Sequence, residues 1–202
     1  KDLNDGLTQI FPANTFEAMV HEVGHDPFTF FMVRYAGVNP DNGNAQYFDI
    51  DGNITEEYNP TDAVTLDGKS PFPNYYGGFG LAAEYKGFNL RADFNYQGGN
   101  YIYNNTYFFG MNLEPSNDGY NYFQGAENYW QNPGDTGVFQ KPSVNGFEYT
   151  DQFLEKGDYI LFRTLELGYT FDNDMFRNLP IKGMRIYGQI QNLALWTKFH
   201  GN

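Results

Sequence analysis

Hydrophobic and polar residues alternate most clearly between Phe88 and Tyr96. Phe88, Leu90, Ala92, Phe94 and Tyr96 interleave with Asn89, Arg91, Asp93 and Asn95. A period of two puts the two sets on opposite faces of a sheet. One face is wholly apolar, and the other carries opposite charges and amides. With the run that starts at Asn74, the pattern predicts two strands joined by a tight turn at Lys86-Gly87. The pattern returns at 158–171, where Leu165, Leu167, Tyr169 and Phe171 oppose Thr164, Glu166, Gly168 and Thr170, with Arg163 expected on the apolar side near its rim. It returns again at 183–195, where Met184, Ile186, Gly188 and Ile190 oppose Arg185, Tyr187, Gln189 and Gln191. Each of these four candidates reaches the roughly 9–11 residues that a tilted strand needs to cross a bilayer.

The intervening segments read differently. Pro27 to Tyr35 is aromatic and β-branched and predicts a strand. Residues 36–73 are punctuated by turn dipeptides, with a small hairpin expected where Gln46–Ile50 and Ile54–Tyr58 flank Asp51-Gly52. Phe16 to Val23 suits one or two helical turns, or an irregular lead-in. Residues 97–146 are mostly Asn, Gly, Tyr and Phe, and a loop of that length counts against a compact soluble domain. Short links at Lys86-Gly87 and 172–182 alternate with long ones at 36–73 and 97–150. Outer-membrane barrels connect their strands in this way, with short turns on one side and long loops on the other. The alternative is a soluble sheet with one wet face, such as a secreted β-sandwich that binds carbohydrate.

Composition narrows the choice. The 202 residues include 20 Phe, 17 Tyr and 23 Gly, which suits β-structure with polar loops and aromatic girdles. The formal net charge of −13 disfavours a basic nucleic-acid surface. With no cysteine there is no disulfide framework, thiolate metal site or Cys nucleophile. No apolar run is long enough for a transmembrane helix. The start, Lys1-Asp-Leu-Asn-Asp-Gly, is polar and does not read as a signal peptide.

One chemical motif competes. His21-Glu-Val-Gly-His25 matches His-Glu-x-x-His, in which two histidines one helical turn apart ligate zinc and the glutamate is the general base. Gly24 weakens such a helix, and Pro27 ends it just past His25. A strand and turns follow where a third ligand is needed, so His21, Glu22 and His25 are read as a chance match and no metal is expected. Asp49, Asp51 and Asn53 have calcium-type ligands, but Ile54 and Pro60 stand where an EF-hand needs Gly and Glu, so a turn is the expectation. Asp93, Glu84 and Glu166 are read as charges on a wet face near Arg91 or Arg185, not as an acid/base pair. No catalytic set emerges. Tyr101, Tyr103, Tyr107, Tyr120, Tyr122, Tyr129 and Trp130, interleaved with Asn and Gly, are the candidate substrate contacts, since aromatic faces stack on sugar rings and amides bond hydroxyls. The same residues also suit packing of the loop on itself.

Several stretches, in order, resemble the SusC/RagA-type TonB-dependent outer-membrane transporters: Tyr35-Ala-Gly-Val-Asn-Pro, Asp49-Ile-Asp-Gly-Asn-Ile-Thr, Gly68-Lys-Ser-Pro-Phe-Pro-Asn-Tyr-Tyr-Gly-Gly-Phe, Trp130-Gln-Asn-Pro-Gly-Asp, Arg163-Thr-Leu-Glu-Leu-Gly-Tyr and Gln191-Asn-Leu-Ala-Leu-Trp-Thr-Lys-Phe. The resemblance runs from about residue 30 to the end. It implies an all-β fold, the C-terminal strands of a large antiparallel transmembrane barrel with long extracellular loops. Residues 1–202 would form part of the barrel, with the plug domain and final strands absent. It further implies a non-enzymatic importer of oligosaccharides or oligopeptides, without cofactor. Its partners would be a SusD-like surface lipoprotein, TonB through the missing N-terminal part, and outer-membrane lipid, with no nucleic acid. Asn89, Arg91, Asp93 and Asn95 would then face the lumen, and Phe88, Leu90, Ala92, Phe94 and Tyr96 the lipid.

Overall fold

The computed structural model describes residues 8–11, 19–113, 121–143, 146–176 and 183–200. In chain order the strands are β1 (Gln9–Ile10), β2 (Met19–Glu22), β3 (Thr29–Met32), β4 (Arg34–Val38), β5 (Ala45–Phe48), β6 (Ile54–Thr55), β7 (Val64–Thr65), β8 (Tyr75–Tyr85), β9 (Phe88–Gly98), β10 (Tyr101–Tyr103), β11 (Leu154–Lys156), β12 (Tyr159–Thr170) and β13 (Arg185–Thr197), with helix α1 (Asn105–Met111) between β10 and β11. They form two compact units: Lys1–Phe72 with Tyr101–Glu155 and His200–Asn202, and Pro73–Asn100 with Lys156–Phe199.

The second unit is one antiparallel sheet in the order β13-β12-β9-β8. Its strands are 11, 11, 12 and 13 residues long, as the alternation predicts. Lys86 and Gly87 both take positive φ, 48° and 89°, the geometry of the two-residue turn whose twist matches a hairpin. A side chain at Gly87 would also meet the Thr170 carbonyl at 2.7 Å. Both short connections, Lys86-Gly87 and 171–184, leave the same end of this sheet, because Tyr85 pairs with Phe88, Phe88 with Tyr169 and Tyr169 with Ile186.

The register has one break. Phe162 opposes Phe94, but Thr164 opposes Asp93, so Arg163 is an extra residue bulged out of β12. On the other side Phe162 opposes Ala194 and Thr164 opposes Gln191, and there Asn192 takes φ 53°. The bulge changes which parity faces which way. Below it Leu165, Leu167 and Tyr169 pair with Ala92, Leu90 and Phe88; above it Ile160 and Phe162 pair with Tyr96 and Phe94. A strictly alternating β12 would have turned Ile160 and Phe162 onto the polar face. The expectation that Arg163 lies on the apolar side is therefore corrected: Arg163 lines a hollow with Gly78, Gly80, Arg91, Asp93, Asn95 and Thr164 of the polar face, to which Phe79 and Phe94 also contribute.

The first unit packs short elements around an aromatic core. Its sheets are β1-β2-β3-β7, β4-β5-β6 and the pair β10-β11. Phe30, Met32, Leu66, Phe108, Met111, Phe147 and Phe153 are buried together. Each fully buried side chain of this size contributes roughly 1.5–3 kcal/mol. The single strand expected over Pro27–Tyr35 is two, interrupted at Val33, which bridges to Thr150. The expected hairpin around Asp51-Gly52 forms between β5 and β6. The expected helical turn at Phe16–Val23 is a strand where it is described, Met19–Glu22, and residues 12–18 lie outside the described residues. Helix α1 is an addition to the sequence reading. Asn104 caps it, its Oδ1 accepting from the Tyr107 amide at 2.9 Å.

Candidate functional site

The two faces of the long sheet differ in every strand. On the apolar side, Tyr85, Phe88 and Tyr169 gather near the turns, with the Phe88 and Tyr169 rings 4.7 Å apart. Tyr75, Tyr96 and Trp196 stand at the opposite ends of their strands. Between the two groups lie Leu81, Leu90, Leu165, Leu167 and Ile190, and a ladder of Phe79, Phe94 and Phe162 whose rings stack at 4.9 and 4.4 Å. Leu167 is 58% exposed and Ile186 59%. From Phe88 to Tyr96 the strand runs about 26 Å at roughly 3.3 Å per residue, or about 20 Å of height at a barrel strand's tilt, most of the ~25 Å apolar band between the aromatic girdles of an outer-membrane barrel. Soluble monomers rarely expose a contiguous apolar face of this kind, which marks a protein or membrane contact.

The other side is a polar network. Asn89 Oδ1 accepts from Arg185 at 3.1 and 2.7 Å, Arg185 also pairs with Glu166, and Asn89 Nδ2 donates to Thr170 Oγ1 at 3.2 Å. Gly168 makes this network fit, because a Cβ there would lie 2.3 Å from Asn89 Oδ1. Arg91 Nε donates to Asp93 at 2.8 Å, and Asp93 leans over Gly80, where a Cβ would lie 2.6 Å from its Oδ1. Asn95 Oδ1 similarly overhangs Gly78. Asn89, Arg91, Asp93 and Asn95 therefore do share one face, and they share it with Glu84, Glu166, Arg185 and Gln189 through their pairings.

The candidate aromatic contacts of the first unit fall into different surroundings. Tyr103 is buried among the core residues, and Tyr101 and Tyr107 pack against them. Tyr107 also stacks on His200 at 4.9 Å. Trp130 lies over Gly43, whose Cβ would meet the indole at 2.5 Å, and its Nε1 donates to the Pro40 carbonyl at 2.8 Å. Tyr129 is half-buried and bridges to Phe139. Tyr122 is exposed. Tyr120 lies outside the described residues.

The zinc-type motif does not find its helix among the described residues. His21 and Glu22 are adjacent in β2 and so point to opposite sides. His21 packs edge-on against Phe28 at 4.3 Å, and His25 turns to Asp67 at 3.1 Å. Glu22 accepts from the Thr65 hydroxyl, which holds its carboxyl below the usual range. Asp49 closes the β5–β6 turn by accepting from the Asn53 side-chain amide at 3.0 Å and from its backbone amide at 2.7 Å, which together lower its pKa too. Glu56 is held by the side-chain amides of Asn44, Asn39 and Asn42, again shifted downward. Burial pushes the Tyr35 phenol up to about 12, and pushes Tyr47, Tyr58 and the Glu148 carboxyl upward as well.

A sheet with an exposed apolar face long enough for a tilted membrane-spanning strand, aromatic at both ends and hydrogen-bonded on its reverse, fits the wall of a transmembrane β-barrel. Comparison with known proteins agrees. No protein-family model matches the chain. It is similar to TonB-dependent receptor P39 of Formosa agariphila, 29% identical over 63% of this chain and 13% of that protein. It is also similar to TonB-dependent receptor P3 of the same organism, 25% identical over 80% of this chain and 15% of that protein. Among solved structures it resembles the RagAB peptide transporter, with a TM-score of 0.85 and 29% identity over 98% of this chain and 22% of that one. The RagAB peptide importer in its 'closed-closed' state gives a TM-score of 0.84 at 29% identity. The chain thus spans 13–15% of the length of those curated relatives. The chain resembles part of TonB-dependent receptors and of a solved peptide transporter, and its fold fits a piece of an outer-membrane barrel.

Proposed function

We propose that the whole protein imports oligomeric nutrients across the outer membrane, oligopeptides ahead of oligosaccharides. TonB energises it through a plug outside this chain, and a SusD-like surface lipoprotein helps capture the cargo. The observation that carries this reading is the match of 98% of the chain to a peptide transporter at a TM-score of 0.85. The sheet supplies barrel wall. Phe88, Leu90, Ala92, Phe94 and Tyr96 face lipid, and Asn89, Arg91, Asp93 and Asn95 face the lumen. Among the loop aromatics, exposed Tyr122 is the cargo contact, whereas Tyr103, Tyr107 and Trp130 hold the loops in shape.

The test is uptake by cells carrying the full-length transporter, offered fluorescent oligopeptides and oligosaccharides. The expected result is accumulation of peptide that stops when TonB is deleted or the proton gradient is collapsed. Unchanged accumulation after TonB deletion, or equal accumulation in cells lacking the transporter, contradicts the reading.

A further inference from the structure

The β12 bulge leaves a guanidinium on the polar face that holds no carboxylate among the described residues. That face carries Arg91, Arg163 and Arg185 against Glu84, Asp93 and Glu166. Arg91 is taken by Asp93 at 2.8 Å and Arg185 by Glu166. Arg163 is exposed, and among the described residues it forms no ion pair or side-chain hydrogen bond. The acid across from it on the neighbouring strand leans the other way. Asp93 pairs in register with Thr164, yet its carboxylate bends over Gly80 of β8 toward Arg91. Gly78 and Gly80 add no side chain, so the hollow between Arg163, Arg91 and Asn95 stays open. Strict alternation would instead have put Arg163 on the lipid side, beside Leu165 and Leu167. Bulges re-aim side chains, and here one delivers a cation to the wet face.

We propose that Arg163, flanked by Asn95 and Thr164, is a carboxylate-binding subsite on the lumenal wall that engages acidic peptide cargo. This rests on the peptide-import reading above. The chemistry is the planar fork of guanidinium N–H donors meeting two carboxylate oxygens, with the Asn95 amide as an additional donor. With no ion-pair partner among the described residues, the Arg163 guanidinium is available to an anion in the hollow.

The experiment uses the full-length transporter with its plug and two labelled peptides of equal length. One carries Asp and Glu and a free C-terminus; the other is its Asn/Gln counterpart with an amidated C-terminus. Arg163→Gln is expected to weaken binding of the acidic peptide about ten- to hundred-fold and leave the neutral one unchanged. Arg163→Lys keeps the charge but loses the fork, so it falls between the wild type and Gln, and Arg163→Glu reverses the preference. Equal loss for both peptides, or no loss for either, overturns the subsite while leaving import intact. A wild-type transporter that binds neither peptide overturns peptide import, and the subsite with it.

Discussion

The two units use the same aromatic residues against opposite surroundings. In the first, Phe30 and Phe153 are each 1% exposed and surrounded by other side chains. In the second, Phe79 is 55% exposed and Phe88 57%, on strands whose reverse faces are polar and hydrogen-bonded. Composition alone does not separate these uses. Periodicity does: a strict period of two writes a face for a solvent, whereas aromatics at irregular spacing pack on one another. For the long sheet, on the reading proposed above, the solvent on one side is hydrocarbon, so its apolar face needs no protein cover.

The contrast can be broken at single residues. The largest expected effect is Phe153→Ala, which empties the first unit's core. It should cost about 3–5 kcal/mol and show as faster protease cleavage of loops 101–155, with the barrel's heat-modifiable gel mobility unchanged. Leu167→Arg is expected to cost about 2–4 kcal/mol when the transporter folds into bilayers. The same change in a water-facing strand is nearly neutral, so insertion yield into vesicles separates the two. Gly168→Val pushes a side chain into Asn89 and breaks its hold on Arg185. Overpacking of this kind typically costs about 1–3 kcal/mol, read as a lower unfolding temperature in detergent. Trp130→Phe keeps the ring over Gly43 but removes the bond to Pro40. The loss is about 1 kcal/mol, visible as increased cleavage near residues 39–44.

The smallest effect is that of pH on the first unit. Glu22 and Glu56 have folded pKa values below their ordinary 4.5, so their contribution is complete above that value and is lost as pH falls through the lowered one. Tyr35 works in the opposite sense. Its folded value is raised from 10 to about 12, so the neutral phenol's contribution is complete below pH 10 and is lost as pH rises toward 12. Phenolate absorbance on alkaline titration should therefore show late-titrating tyrosines. Titration of every tyrosine near pH 10 would contradict the packing of β4 and β5.

Much of the sheet was legible. The faces of β9 and β13 follow from alternation, and the turn follows from Lys86-Gly87. The bulge is not legible in the sequence: Ile160 and Phe162 are apolar at even positions and Leu165 and Leu167 at odd ones, but Leu161 is apolar as well and hides the change of parity near Arg163. The first unit was less legible because its contacts are long-range. The break at Val33 depends on Thr150, and the place of Trp130 depends on the carbonyl of Pro40, 90 residues earlier. Tyr103 and Tyr107 have the composition of a binding loop, and only the fold distinguishes packing from display. Asn104 ahead of Asn105–Met111 was a readable helix cap that the surrounding aromatics obscured.

The central claim is that one face of the sheet meets lipid and the other water. The most direct test exploits the absence of cysteine in the chain. Leu81→Cys, Leu167→Cys, Arg91→Cys and Gln189→Cys are placed singly in the full-length transporter, with any other cysteine removed, and spin-labelled in bilayers. Labels at 81 and 167 should relax with oxygen and be shielded from a water-soluble nickel chelate, and labels at 91 and 189 should show the reverse. Chelate access to all four positions would contradict the account.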